Sequence, residues 1–291
     1  EVTGQADFAR TRGQLLAPLQ KGGTAFFSSQ YSASVAGVLG TALDPQQPML
    51  VRLNAMIVAR DLTEAGAVNL IAKGAADAAP AVRYWAGNAV CRIVPAARLN
   101  NNFEAQQVLM KALVDAIAKE TDARVTNAML KGLACLTDPQ AAAKLMEVLN
   151  ARIAVHMRRP GDTLAAEREA IRQLSGNIIQ RGADNVPAET KQQLARLVFR
   201  YMALAIWTIN NHEPPDDVDR ALGDIFRLGD SVRRCAVVAL NPAMQNQLPP
   251  AIQAVGDNLN WPVMEDLLKR QWKALMDQLG IANLDLPNVE R

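Results

Sequence analysis

The chain has 291 residues, 49% of them hydrophobic and 21% charged, and its 31 basic and 29 acidic side chains leave a formal net charge of +2. That much apolar material excludes a disordered polyelectrolyte, and the near balance of signs excludes a molecule-wide field that gathers polyanions. Aromatic residues make up only 4% and alanine is abundant, which suits closely stacked helices and not a sheet of β-branched and aromatic side chains.

The predicted elements follow in chain order. Residues 5–20 form a helical arm with Phe8, Leu15, Leu16 and Leu19 inward, despite Gly13 and Pro18. Thr24 to Leu43 is a second helix, rich in small residues that permit close contact but weak in intrinsic helicity. Asp44-Pro45 turns the chain into a helix over 47–62, with Val51, Ala55, Val58 and Leu62 as its apolar stripe. Thr63 and Glu64 open a short helix that Gly74 is expected to stop. Pro80 then sits in the first turn of the next helix, where its missing N–H costs nothing, and Val82, Ala86, Ala89, Val90 and Ile93 share one face. Pro95 closes that hairpin, and Asn100 to Asn102 supply the cap for a helix over 103–119, partnered by one that starts after Asp122.

Longer helices are predicted at 139–159, 162–181 and 188–211, the last apolar nearly all round between Leu197 and Ile209. That run is the longest apolar candidate, and it is shorter than the ~18 residues needed to span a bilayer and carries Arg200. The tandem Pro214-Pro215 forces a loop before helices at 216–228 and 231–240. A helix over 262–279, with Trp272 inward and Gly280 beyond it, is the expected terminal cap. Leu-and-Ala-rich hairpins without strands make the fold all-α: one domain over 1–291, with an arm over 1–24, hairpins over 25–255 and a capping helix and tail over 256–291.

Val51-Arg52-Leu53-Asn54-Ala55, Val82-Arg83-Tyr84-Trp85-Ala86 and Val232-Arg233-Arg234-Cys235-Ala236 all read V-R-x-x-A, each a few residues after Asp44, Asp77 or Asp230, and Arg124-Val125-Thr126-Asn127-Ala128 after Asp122 is a scrambled copy. In this the chain resembles HEAT repeat proteins, whose units read D-x-x-P-x-V-R-x-x-A; Asp77, Pro80, Val82, Arg83 and Ala86 match in full and the other copies in part. The resemblance covers residues 25–240. It implies a right-handed superhelix of antiparallel helical hairpins and a ladder in which the Asp and the Arg six residues on join neighbouring repeats.

Residue chemistry offers little for catalysis. There is no phosphate-binding glycine motif and no G-x-S-x-G, and the only two histidines are His156 and His212. His212 and Glu213 with Asp216, Asp217 and Asp219 are denied helical ligand spacing by Pro214-Pro215. Cys91, Cys135 and Cys235 lie in apolar helical runs without Cys or His at metal-ligand spacing, and their odd number argues against a disulfide framework, so they read as buried free thiols. No catalytic residue, metal or cofactor is therefore expected.

A solenoid places its second helices along a concave face. Arg52, Arg83, Tyr84, Asn88, Arg92 and Arg124, with Arg233, are the candidate partner-binding residues there, for another protein or peptide. The competing reading is that the arginines are ladder residues and Trp85 fills a gap between repeats; Trp207 and Trp272 read as core. A second functional class is an enzyme of the alkylpurine DNA glycosylase type, which the architecture also resembles, with Trp85, Arg83 and Arg124 as the nearest match. The near-neutral charge argues against it, because a DNA site with ~6–10 phosphate contacts needs as many cations. The start at Glu-Val-Thr-Gly, without Met, leans toward an exported or periplasmic protein.

The helical period makes Ala86 an inward close contact and Tyr84 an outward residue. Ala86→Leu should therefore cost about 1–3 kcal/mol by overpacking, and Tyr84→Ala far less than the ~3–5 kcal/mol of a buried aromatic truncation. Chemical denaturation of both variants checks this, and the reverse order would put Tyr84 in the core.

Overall fold

The computed structural model describes residues 2–62, 66–96, 102–158, 164–180, 186–211 and 277. Among them all regular structure is helical: α1 (Val2–Gln20), α2 (Ala25–Ala42), α3 (Met49–Ala59), α4 (Gly66–Ala75), α5 (Pro80–Ala96), α6 (Phe103–Ile117), α7 (Ala123–Cys135), α8 (Pro139–Arg158), α9 (Ala165–Gln180) and α10 (Ala188–Asn211). The all-α class read from composition holds. The helices predicted at 216–228, 231–240 and 262–279, with Arg233, Cys235, the His212 cluster and Trp272, lie outside the described residues. The chain falls into two compact units, Glu1–Ala142 and Ala143–Arg291.

In the first unit the helix starts are set by side chains that satisfy otherwise orphaned amides. Thr24 Oγ1 accepts from Phe27 N at 3.1 Å, Asn102 Oδ1 from Ala105 N at 3.1 Å, and Asp122 Oδ1 from Arg124 N at 2.8 Å. Asp44, Asp77 and Asp138 fold back on the amides two residues on, at 2.9, 2.7 and 2.7 Å. These aspartates turn the chain into α3, α5 and α8. The helices then pack in two rows: α2 touches α4 and α4 touches α6, while α3 touches α5 and α5 touches α7, with α2–α3, α4–α5 and α6–α7 as hairpins. α1 lies against α2 and α3, held by the Tyr31 hydroxyl donating to the Leu15 carbonyl at 3.0 Å and by Arg12 on Asn54.

Val82, Ala86, Ala89, Val90 and Ile93 are fully buried, as their spacing predicts, whereas Tyr84 is 38% exposed. Gly74, expected to end α4, instead lies inside it. A side chain there would meet Met56 and Ala86, so this glycine serves close packing and not helix termination. Pro95 is the penultimate residue of α5, which runs to Ala96. Trp207, read as core, is half-buried.

Two backbones approach closely where α5 meets α7. A Cβ on Gly87 would stand 2.7 Å from the Ala128 carbonyl carbon and 2.8 Å from its oxygen, and one on Gly132 would stand 2.6 Å from the Gly87 oxygen. One turn further along, Cys91 and Cys135 form a disulfide with Cα atoms 5.1 Å apart. This corrects the reading of these two residues as free thiols: the glycine contact brings two cysteines 44 positions apart into bonding range. Closing a loop of that length removes roughly 3–5 kcal/mol of chain entropy from the unfolded state.

The second unit holds all of α8 but its first turn, with α9 and α10. Leu145, Leu149, Ile153, Ile171, Leu174, Leu194, Leu197, Val198 and Phe199 form its core. Tyr201 is buried with them, and its hydroxyl donates to the Leu149 carbonyl at 2.6 Å. Burial holds that hydroxyl well above its ordinary pKa, and Glu167 adds to the effect.

Gly87→Ala should cost about 1–3 kcal/mol, because the new methyl meets fixed backbone. Gly13→Ala, where a Cβ meets nothing within 4 Å, should stabilise α1 by about 0.5–1 kcal/mol. Urea unfolding of the oxidised protein measures both.

Candidate functional site

The first unit carries a ladder of ion pairs across successive hairpins. Arg52 on α3 forks onto Asp77 in the α4–α5 turn, Nε to Oδ2 at 2.8 Å and Nη2 to Oδ1 at 3.1 Å. Its Nη1 donates to the Gln47 carbonyl at 2.5 Å. Arg83 on α5 repeats the move one hairpin on, forking onto Glu120 in the α6–α7 turn at 2.7 and 3.0 Å. Arg83 Nη1 also donates to the carbonyls of Asp77 and Ala78 at 2.9 and 2.8 Å. The hydrogen bond from each arginine to its carboxylate raises the arginine pKa further. Burial pushes the Glu120 carboxyl up, but the Arg83 hydrogen bonds and charge and the amides of Thr121 and Asp122 more than reverse this, holding it below the ordinary carboxylate value.

Asp77 both caps and pairs. In the next turn those jobs are divided, Asp122 capping α7 and Glu120 taking the arginine. The sequence signal for Glu120 was its place in the turn ahead of a second helix, which Asp122 two residues later obscured.

The six residues expected to grip a partner thus have distinct positions. Arg52 and Arg83 are engaged as described. Removing one partner of a buried forked pair costs about 3–5 kcal/mol, so a ligand would have to offset that to recruit either arginine. Arg92 Nε lies 2.6 Å from Asp61 Oδ1, and Asn88 donates to the Tyr84 carbonyl at 3.0 Å. The guanidinium of Arg60, the residue after α3, sits over the half-buried Trp85 ring of α5, 4.7 Å from its centroid. Tyr84 meets Trp85 edge to face. Tyr84 and Arg124 keep exposed side chains.

A groove of about 610 Å³ opens between α4 and α6. Ala72, Ala75, Ala76, Ala112, Ala116 and Val108 give it an apolar floor. Its charged lining is Asp77, Asp115 and Glu120 against Arg83, Lys111 and Lys119, three of each sign. Lys111 is paired to Asp115 at 2.8 Å. Of the six sequence candidates only Arg83 reaches this groove. The others sit on the second helices, and the alanines gave no signal because a run of alanine reads as packing.

In the second unit His156 Nε2 lies 2.8 Å from Glu167 Oε1, which also accepts from Arg152 Nε at 2.5 Å. Burial drives the Glu167 carboxyl up, yet His156 and Arg152 together hold it below the ordinary value. His156 and Glu167 are buried at 3% and 0% exposure, and none of this set lines the α4–α6 groove. Among the described residues no group of three His, Cys, Asp or Glu is placed to hold a metal ion, and no helix is long and apolar enough to cross a membrane. No family model matches the chain, and neither a curated protein nor a solved structure matches it.

Glu120 and Glu167 have lower pKa values folded than their ordinary 4.5, so the unfolded chain binds more protons in acid. Their stabilisation is fully present above pH 4.5 and is lost as pH falls through the folded values. The denaturation midpoint should therefore hold from neutrality down to about pH 5 and fall below it. Glu120→Gln should lower the midpoint at neutral pH and flatten the acid limb; an unchanged limb would mean that Glu120 is not ionised in the fold.

Proposed function

We propose that the chain is a HEAT-like stack of helical hairpins that binds a segment of another protein and performs no chemistry. The observation that carries this is the alanine-floored groove between α4 and α6 with its balanced ring of charge. A volume of that order accommodates ligand-sized apolar groups, and the zero sum of its charges gives a nucleic-acid backbone no advantage. The Arg52–Asp77 and Arg83–Glu120 pairs support the HEAT-like reading, since they join neighbouring hairpins where that family carries its ladder. In this reading the groove between first helices is the principal surface, and Tyr84 and Arg124 are a secondary one. The Cys91–Cys135 disulfide favours an oxidising compartment, in line with export.

Peptides selected from a random displayed library on the oxidised protein should share an apolar anchor. They should lose at least tenfold in affinity for Ala112→Trp, which fills the groove, while Tyr84→Ala has a smaller effect. Peptides indifferent to Ala112→Trp, with its melting temperature unchanged, would remove the groove from the function. A shift of duplex DNA at low salt would favour the glycosylase-like alternative instead.

A further inference from the structure

The charged groups that line the α4–α6 groove, three of each sign, differ in what they still have to offer. Glu120 Oε2 accepts from Arg83 Nε, and its Oε1 accepts from Arg83 Nη2 and from the amides of Thr121 and Asp122. Asp77 is engaged by the Ala79 amide and by Arg52, which stands outside the lining. Asp115 meets Lys111 at 2.8 Å. Each carboxylate thus has its cation, and because Arg52 supplies one of them from outside, one lining cation is left over. That cation is Lys119, which is exposed and which no carboxylate among the described residues pairs with. The apolar floor runs up to it. Val108, Ala112 and Ala116 stand four residues apart on one stripe of α6, Val108 is 43% exposed, and Lys119 follows the helix end at Ile117.

With the groove taken as the binding surface, we propose that the protein segment it holds is acidic: an apolar side chain rests on the alanine floor, and an Asp or Glu carboxylate further along the same segment meets the Lys119 ammonium. Charge complementarity decides the sign. A basic side chain entering here would give up water to reach carboxylates whose cations are in place, and would lie near those cations as well. A carboxylate finds an ammonium with three donors and no anion to displace. Ala112 and Lys119 are seven positions apart, about 10 Å at 1.5 Å per helical residue. In an extended segment that distance separates the anchor from the acid by about three residues. Lys111 and Asp115 at the rim are exposed, so an occupant keeps one side in water. A peptide backbone is hydrated on such a side, whereas a fatty acid, which also joins an apolar body to a carboxylate, would leave its acyl chain wet.

Peptides selected from a random displayed library on the full, oxidised chain test this. Relative to the unselected library they should be enriched in Asp and Glu, and depleted in Lys and Arg, near the apolar anchor. In fluorescence anisotropy the tightest of them should weaken about three- to tenfold for Lys119→Glu, which replaces an attraction by a repulsion. Exchanging the peptide's acidic residue for Lys should restore binding to that variant. Lys21→Glu, which changes the net charge equally at an exposed position outside the lining, should leave the affinity unchanged. Basic or charge-indifferent peptides that still lose affinity with Ala112→Trp overturn this inference and keep the groove as the binding surface. Peptides indifferent to Ala112→Trp, or no selected peptide at all, overturn both. Palmitate that binds more tightly than any selected peptide, and loses that binding with Lys119→Glu, makes the occupant a lipid and overturns the proposal.

Discussion

Two helix backbones in contact set the geometry of the first unit. Where α5 crosses α7, Gly87 and Gly132 leave room for each other's peptide groups and for nothing more. Such a contact has one register, since sliding either helix by a residue would bring a Cβ against a carbonyl. Arg83, Gly87 and Cys91 stand four residues apart on one stripe of α5, and each meets the following hairpin: Arg83 finds Glu120, Gly87 finds Ala128 and Gly132, and Cys91 finds Cys135. A charge pair, a backbone contact and a covalent bond thus occupy three successive turns. The disulfide and the forked pair follow from the register that the glycines impose.

The same register explains why the arginines make poor grips. An arginine in a repeat protein can face a partner or tie hairpins together, and the two uses compete for one guanidinium. Arg52 and Arg83 each fork onto a carboxylate and donate further to backbone carbonyls. With their donors directed inward, what they contribute to a neighbouring surface is rigidity. The α4–α6 groove has Arg83, Asp77 and Glu120 in its lining, so its charged end is fixed by the ladder and needs no ordering when a ligand arrives.

Local signals carried most of the helical boundaries. Pro80 opens α5 and Asn102 caps α6 because each acts through its own backbone neighbourhood, and the buried stripe of α5 follows from the helical period alone. What escaped the sequence depends on pairs far apart in the chain. Cys91 and Cys135 each sit in an unremarkable apolar run, and only the crossing of α5 and α7 makes them partners. Gly74 looked like a helix stop because glycine commonly is one, yet its missing side chain is needed by Met56 and Ala86. The role of Arg83 was legible as one of two alternatives, a ladder rung or a ligand contact. It forks onto Glu120 and so joins two hairpins, where Asp122 had seemed the more natural acid, and it also lines the groove.

Chemistry and binding make opposite demands on buried charge. The one histidine among the described residues, His156, shares a single carboxylate oxygen of Glu167 with Arg152; His156 and Glu167 are buried and Arg152 is partly exposed. A general acid or base must reach the atom it serves, so this arrangement reads as an internal tie between α8 and α9, comparable to the rungs of the first unit. The α4–α6 groove is the reverse case, open and lined with alanine, with its ionisable groups already paired or balanced. Carboxylates neutralised by neighbouring cations are poor proton carriers at neutral pH, but they give a groove polar edges without a net field. A ligand held by a surface of that kind would be selected by its shape and by the apolar area it covers.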